Sequence, residues 1–335
     1  MFNKRNIITI LLAVFVIYGG YFGYDFYRRQ HPKVSIILPV YNGEKQLGNT
    51  IPMLLASDLT DFEFIIVDDA STDKTWKILQ EFAAQDNRIR IFHNEKNLGI
   101  SGNRNKGISL ARGKYFAMMD HDDTSLPARL KVSADYLDTH PDIAIVDVGT
   151  ILQLAYEKGL KRERAHILDF LLSEQKKSTN IFTEAEKDEN IKIALMYSLG
   201  VPTQSAAMVR RSFLEEHHLK YRENIVGSDD YYLYVDMAIL GANFHHIPDI
   251  LHIYNDEPHH TEKFNTTQIE ESKNARRLLY EWVGLDYNQY STLEDTLPER
   301  EFVCLMLKDL IVANRQSRRF TQALVEKDYK AICEE

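Results

Sequence analysis

Asp120-His121-Asp122-Asp123 puts three carboxylates and an imidazole into four consecutive positions. Carboxylates this close repel one another unless a divalent cation or a shared proton offsets their charge, so the cluster reads as a metal site. A solvated acidic turn is the alternative, because short acid motifs recur by chance. Two more acidic groups stand out. Asp68-Asp69 is followed by Asp73, and Asp229-Asp230 follows a Gly227-Ser228 turn. Asp68 and Asp73 can touch a ligand or cap a following helix. The later pair can take a proton as a general base, or it can lie against a helix N-terminus and stabilise its dipole. Cys304 and Cys333 lie far apart, with no metal-ligand spacing, and suggest neither a disulfide framework nor a zinc site. A reducing compartment is therefore allowed.

The elements around these acids form a repeating pattern. Tyr115-Phe116-Ala117-Met118-Met119 is an apolar run ending in the 120–123 cluster, as expected of a buried strand that delivers acids to the carboxyl edge of a sheet. Val34–Leu38, Phe62–Val67 and Arg88–Phe92 read as earlier strands. Helices are expected over Gln46–Ala56, after Asp73 with Trp76, Ile78, Leu79 and Phe82, and over Asn103–Ala111. Ser71 or Thr72 is the expected cap of the second helix. Further on, a helix from Leu126, strands over Ile143–Val148 and Ser205–Val209, a helix over Asp229–Leu240 stopped by Gly241, and an extended Phe244–Tyr254 follow. The alternation predicts an α/β fold with a doubly wound, mostly parallel sheet, which binds ligands at its carboxyl edge.

Composition narrows the function. The 335 residues carry 40 basic and 49 acidic side chains, a net charge of −9, which argues against a nucleic-acid partner. Residues 7–24 contain no charge, and as a helix they would span roughly 27 Å, enough to cross a bilayer core. Tyr21, Phe22, Tyr24, Phe26 and Tyr27 form an aromatic belt beside them, so an uncleaved single-pass anchor is expected rather than a signal peptide. Basic residues flank the segment on both sides and leave its orientation open. The chain divides into an anchor and linker (1–32), a first α/β half (33–125), a second half (126–262) and a C-terminal helical extension (263–335).

Val34-Ser35-Ile36-Ile37-Leu38-Pro39-Val40-Tyr41-Asn42, Val67-Asp68-Asp69-Ala70-Ser71-Thr72-Asp73, Asn97-Leu98-Gly99 and the 120–123 cluster resemble, in order and spacing, the family 2 glycosyltransferases. The later Pro202–Arg211 and Asp229-Asp230-Tyr231 look most like bacterial lipooligosaccharide and capsule sugar transferases. The resemblance implies a GT-A fold with an acceptor-binding half. It also implies an inverting transfer from a nucleotide-diphosphate sugar, with UDP the expected carrier, to a glycan or lipid-linked acceptor in cell-surface polysaccharide synthesis. Donor-binding candidates are Pro39, Tyr41, Asn42, Asp69, Arg104 and Asp120. Tyr41 would lie against the base, Asp69 would accept its imide hydrogen and Asp120 would take the ribose hydroxyls. The same residues allow plainer readings, Tyr41 as a core tyrosine and Arg104 as a solvated helix residue. Mn2+ or Mg2+ would be held by Asp122, with Asp120 and His260; either His259 or His260 can be the ligand, because relatives place a His after Tyr-Arg and here Tyr254-Asn255 stands instead. Asp230 is the implied general base and Asp229 its neighbour, where Glu-Asp is commoner in the family. Because nucleotide sugars are made in the cytosol, the catalytic part is expected on the cytosolic face if the source is bacterial.

Three other readings remain. Asp120-His121-Asp122-Asp123-Thr124 also fits the Asp-x-Asp-x-Thr signature of haloacid-dehalogenase-type phosphatases, with Asp120 as nucleophile. That family places the motif on its first strand, whereas three β-α units precede it here. No Gly-x-Gly-x-x-Gly follows the first strand, which argues against a dinucleotide dehydrogenase. A catalytically silent, membrane-tethered nucleotide-sugar binder is the third.

Overall fold

A computed structural model describes residues 30–154, 202–225, 227–256, 265–291, 293, 299–317, 326, 330 and 333. The expected anchor at 7–24, the charged stretch 155–190, and His259 and His260 lie outside the described residues. Among the described residues, no helix is long and apolar enough to cross a membrane.

The strands are β1 (Val34–Val40), β2 (Phe62–Asp68), β3 (Ile89–His93), β4 (Tyr115–Met118), β5 (Thr124–Ser125), β6 (Ile143–Leu154), β7 (Met208–Arg210) and β8 (Asn243–Asp256). The helices are α1 (Leu47–Leu55), α2 (Thr75–Ala83), α3 (Gly99–Leu110), α4 (Arg129–Thr139), α5 (Arg211–Glu216), α6 (Asp229–Ile239), α7 (Asn265–Val283), α8 (Asn288–Ser291) and α9 (Glu299–Ser317). One sheet runs in the order β3-β2-β1-β4-β7-β6-β8-β5. Its first four strands are parallel, as expected. Beyond β4 it is mixed, within the mostly parallel expectation: β7 runs antiparallel to β4 and β6, and β5 antiparallel to β8, while β6 and β8 are parallel to each other and run in the direction of β4. The Ser205–Val209 run divides into a 3-10 turn, Gln204–Ala206, and the short β7. Local apolar pattern marks a strand without fixing its direction, so this reversal was not readable from the sequence.

The sheet is buried on both faces. Ile36 and Leu38 of β1 point toward Leu47, Ile51 and Leu54 of α1, Leu79 of α2 and Leu130 and Leu137 of α4. Ile37, with Ile65, Val67, Phe116 and Met118, packs in the opposite layer, which includes Leu233 and Met237 of α6, Leu279 of α7 and Leu307 of α9. Alternation along a strand thus sorts the helices into two layers, and α3 and α6 share one of them. Cys304 of α9 is disulfide-bonded to Cys333, with Cα atoms 5.6 Å apart. This corrects the reading that the two cysteines suggest no disulfide, and removes the support which that reading lent to a reducing compartment: they are 29 positions apart, and only the tertiary path of the chain brings them together.

The depth at which α3 sits is set by Gly107, where a Cβ would lie 2.4 Å from Cγ2 of Ile37 on β1. One turn earlier on the same helix, Arg104 reaches the carboxyl edge of the sheet. Alanine is normally the better helix former, yet Gly107→Ala should destabilise the protein by about 1–3 kcal/mol, because overpacking outweighs propensity. Chemical denaturation measures this, with a lowered midpoint at unchanged slope as the expected outcome.

Candidate active site

The loops that leave β1, β2, β3 and β4 meet at the carboxyl edge. Tyr41, just past β1, is 48% exposed, which excludes its reading as a core residue. Pro39 is buried inside β1 opposite Val67. Asn42 adopts a positive φ of 53° and joins two loops: its Oδ1 accepts the Thr72 amide at 2.9 Å, and its own amide donates to Ser71 Oγ at 2.8 Å. Ser71 and Thr72 are therefore engaged with the first loop and do not cap α2. Asp73 does that work, accepting the Thr75 amide at 2.9 Å. Against the upward push of burial, hydrogen bonds from Thr75 and the Glu44 amide hold the Asp73 carboxyl below its usual range.

Asp69 is 2% exposed and organises the next loop. It accepts Asn94 Nδ2 and the Leu98 amide, both at 2.8 Å, and the Gly99 amide at 3.0 Å. Gly99 has φ +75°, a conformation that suits glycine and lets the turn run directly into α3. Asp68 turns the other way: it accepts the Ser71 amide at 3.2 Å and lies 2.7 Å from Nδ1 of His93.

The three acids after β4 have three different surroundings. Asp120 is partly exposed and accepts Arg104 Nη2 at 3.0 Å. Asp122 has its carboxyl pushed up by burial, an effect the His121 imidazole opposes and the Asp120 and Asp123 carboxylates reinforce. Asp123 is buried, takes the Ser205 hydroxyl, and lies 3.5 Å from His252 Nε2. The Thr50 hydroxyl of α1 holds the loop at the His121 carbonyl. Asp123 therefore faces the second half of the sheet, leaving Asp120 and Asp122 as the cluster's candidate metal ligands. Among the described residues, no group of three His, Cys, Asp or Glu side chains is placed to hold a metal ion. Two hard carboxylates, one of them disfavoured as an anion by its neighbours, suit Mg2+ or Mn2+, which use one or two protein carboxylates and complete their shell with water and phosphate oxygens.

Arg104 is buried, not solvated. Its Nη1 donates to both oxygens of Asp229, at 2.9 and 3.0 Å, while Nη2 holds Asp120. Burial works against the guanidinium charge, but Asp120 and Asp229 overcome it and leave the group well above its usual pKa. Asp229 also accepts Ser101 Oγ at 3.0 Å. Asp230, next along α6, has its carboxyl raised to about 6, first by burial and then by the adjacent Asp229 carboxylate, with Arg104 opposing. Ser228 fixes the start of α6 against α7, sharing hydrogen bonds with the Gln268 carbonyl and Ser272 Oγ. The structure thus brings Arg104, Asp120, Asp229 and Asp230 together, with Tyr41, Asn42 and Asp69 on the same sheet edge.

Several residues at this edge were not found from the sequence. Ser101 and Asn94 are small polar residues in a helix and a turn, with no spacing signal. Gln204, which donates to the Tyr221 hydroxyl and accepts from Tyr234 Oη at 2.7 Å, lies in the Pro202–Arg211 stretch, where only its position could have drawn notice.

The fold recurs in known proteins. Residues 35–217 match the family model described as glycosyl transferase family 2. An uncharacterized glycosyltransferase of Haemophilus influenzae is 28% identical over 249 residues, 73% of this chain and 72% of that protein. An uncharacterized glycosyltransferase of Methanocaldococcus jannaschii is 32% identical over 60% of this chain and 62% of its own length. The putative glycosyltransferase EpsE of Bacillus subtilis is 36% identical over 36% of this chain and 44% of its own length. Among solved structures, S. aureus TarS 1-349 in complex with UDP-GlcNAc superposes with a TM-score of 0.56 at 18% identity, covering 90% of this chain and 82% of that one. The mannosyltransferase PcManGT from Pyrobaculum calidifontis, in complex with GDP-Man and Mn2+, gives 0.51 at 15% identity, covering 98% and 99%. These two share the α/β architecture. The family match displaces the phosphatase reading of Asp120. The chain belongs to glycosyl transferase family 2 and is a glycosyltransferase.

Proposed function

We propose that the enzyme transfers a sugar, with inversion, from a nucleotide-diphosphate donor to a glycan or lipid-linked acceptor, and that Asp230 is the general base. The observation that carries this is the asymmetry of the acid pair. Asp229 is bonded to Arg104 and Ser101, whereas Asp230 is raised to about 6, first by burial and then by Asp229, so that near neutrality it is ionised yet basic enough to take a hydroxyl proton. Single-displacement inversion needs this carboxylate on the acceptor side, because the acids of the β4 loop are committed to the donor.

On the donor side the exposed ring of Tyr41 would lie against the base, and Asp120 would take the ribose hydroxyls. Asp69, already gripping the 97–99 turn, would accept the base imide on a remaining lone pair. Asp120 and Asp122 would hold Mn2+ or Mg2+, which when bound neutralises the departing diphosphate. Similarity to proteins complexed with UDP-GlcNAc and GDP-Man supports a nucleotide-sugar donor, with UDP favoured by the resemblance already described. Residues 7–24 would tether the enzyme to the membrane, with the catalytic part in the cytosol where nucleotide sugars are made.

Asp122→Asn should abolish transfer and leave the thermal transition intact, and excess chelator should do the same to the wild-type enzyme. Full transfer in chelator would remove the metal from the reading. Asp230→Asn should lower kcat by about 10²–10⁴-fold with little change in donor affinity. A base must be ionised, so the wild-type rate should fall as pH drops through about 6, and that limb should vanish in Asp230→Asn. If Asp229→Asn proves the damaging change and Asp230→Asn is mild, the roles of the two acids are exchanged. For the anchor, protease added to intact spheroplasts should spare the catalytic part and digest it after lysis. Digestion before lysis would reverse the topology.

A further inference from the structure

We propose that Arg104 is a positioning residue that couples the donor side of the site to the acceptor side, so that binding of a nucleotide diphosphate at Asp120 and orientation of the Asp229-Asp230 pair are a single event. The inference rests on the donor reading of Asp120.

The geometry carries it. Arg104 comes from α3, Asp120 from the end of β4 and Asp229 from the first turn of α6. One guanidinium joins them: Nη1 chelates both oxygens of Asp229, and Nη2 takes Asp120 Oδ1 at 3.0 Å. The planar fork fixes the two acids relative to each other in a way that a lysine ammonium cannot. The ion triad is also an inefficient way to stabilise a fold, since desolvating three charges consumes much of their attraction. Among the described residues, buried Arg104 Nε has no hydrogen-bond partner, a further cost with no stabilising return. The Tyr221 ring lies 5.6 Å from the guanidinium carbon and helps confine it.

The consequence is a shared cation. If a donor's ribose and metal draw on Asp120, Arg104 is left to Asp229 and fixes its orientation beside Asp230 more firmly. Coupling between sites is reciprocal in binding free energy, so a change at Asp229 must be felt by the donor. Neutralising Asp229 releases Arg104 toward Asp120, where it competes with the donor for the same carboxylate.

The test is a binding cycle without turnover. Isothermal titration of UDP in the presence of Mn2+ is carried out on the full chain as wild type, Asp229→Asn, Arg104→Met and the double variant, with thermal unfolding recorded for each. Asp229→Asn should weaken UDP binding by at least about fivefold when Arg104 is present. In the Arg104→Met background the same change should alter binding by less than about twofold, the range of independent sites. If Arg104→Met does not fold, Arg104→Lys supplies the second background. A merely structural Arg104 would lower the thermal transition without making the effect of Asp229→Asn depend on residue 104. Unchanged UDP affinity in Asp229→Asn, or an equal shift in both backgrounds, overturns the coupling while leaving the donor site standing. A wild-type protein that binds neither UDP nor GDP with Mn2+ overturns the donor reading, and the inference with it.

Discussion

A buried cation between two carboxylates sets the form of this site. Arg104 is supplied by a helix whose close seating on β1 depends on Gly107, and its two acid partners come from the end of β4 and the start of α6. If α3 moved outward by an ångström, the guanidinium would lose one or both acids. The packing of an apolar interface, Gly107 on Ile37, therefore governs the placement of a charge one turn away. Packed interiors transmit displacement in this way because they have little free volume to absorb it.

The same cation explains how two adjacent aspartates can have different chemistry. Side by side they repel, and the proton affinity of the pair must rise somewhere. Arg104 and Ser101 both bond to Asp229, whereas Asp230 accepts the amide of its neighbour Tyr231 and is raised, first by burial and then by Asp229. Both acids lie in the first turn of α6, so the helix N-terminus is common to the two. Discrimination comes from which acid faces α3.

The parallel half of the sheet was legible because its signals are local. Val34–Leu38, Phe62–Val67 and Tyr115–Met119 are predominantly apolar runs, broken only by Ser35 and Glu63 and closed by polar turns, and such runs become buried parallel strands. The acids at their ends were legible for the same reason. The orientation of β7 and the Cys304–Cys333 bond were not, since both depend on where the chain returns after a long excursion. Arg104 stood between two readings, ligand contact and solvated helix residue. Its burial corrects the second, and its engagement with Asp229 was invisible because 125 residues separate the partners. Ser71 and Thr72 misled for a different reason. Either is a good cap by type, but Asn42 reaches them across the loop, and a tertiary hydrogen bond prevailed over a local one.

Asp120, Asp122 and Asp123 look equivalent in sequence and are not equivalent in space. Past the end of β4 the chain turns away from the parallel half, and its next strand, β5, pairs with β8 at the far edge of the sheet. Asp123 follows that turn and is buried against Ser205 and near His252, whereas Asp120 stays at the mouth of β4 with Arg104. Asp122 lies between them, pushed toward the neutral form by burial and by both neighbours. A carboxyl disfavoured as an anion by its surroundings gains most from a cation placed beside it, and in the proposed reading Asp122 would be that carboxyl. Asp123, satisfied by the second half of the fold, fixes where that acid stands.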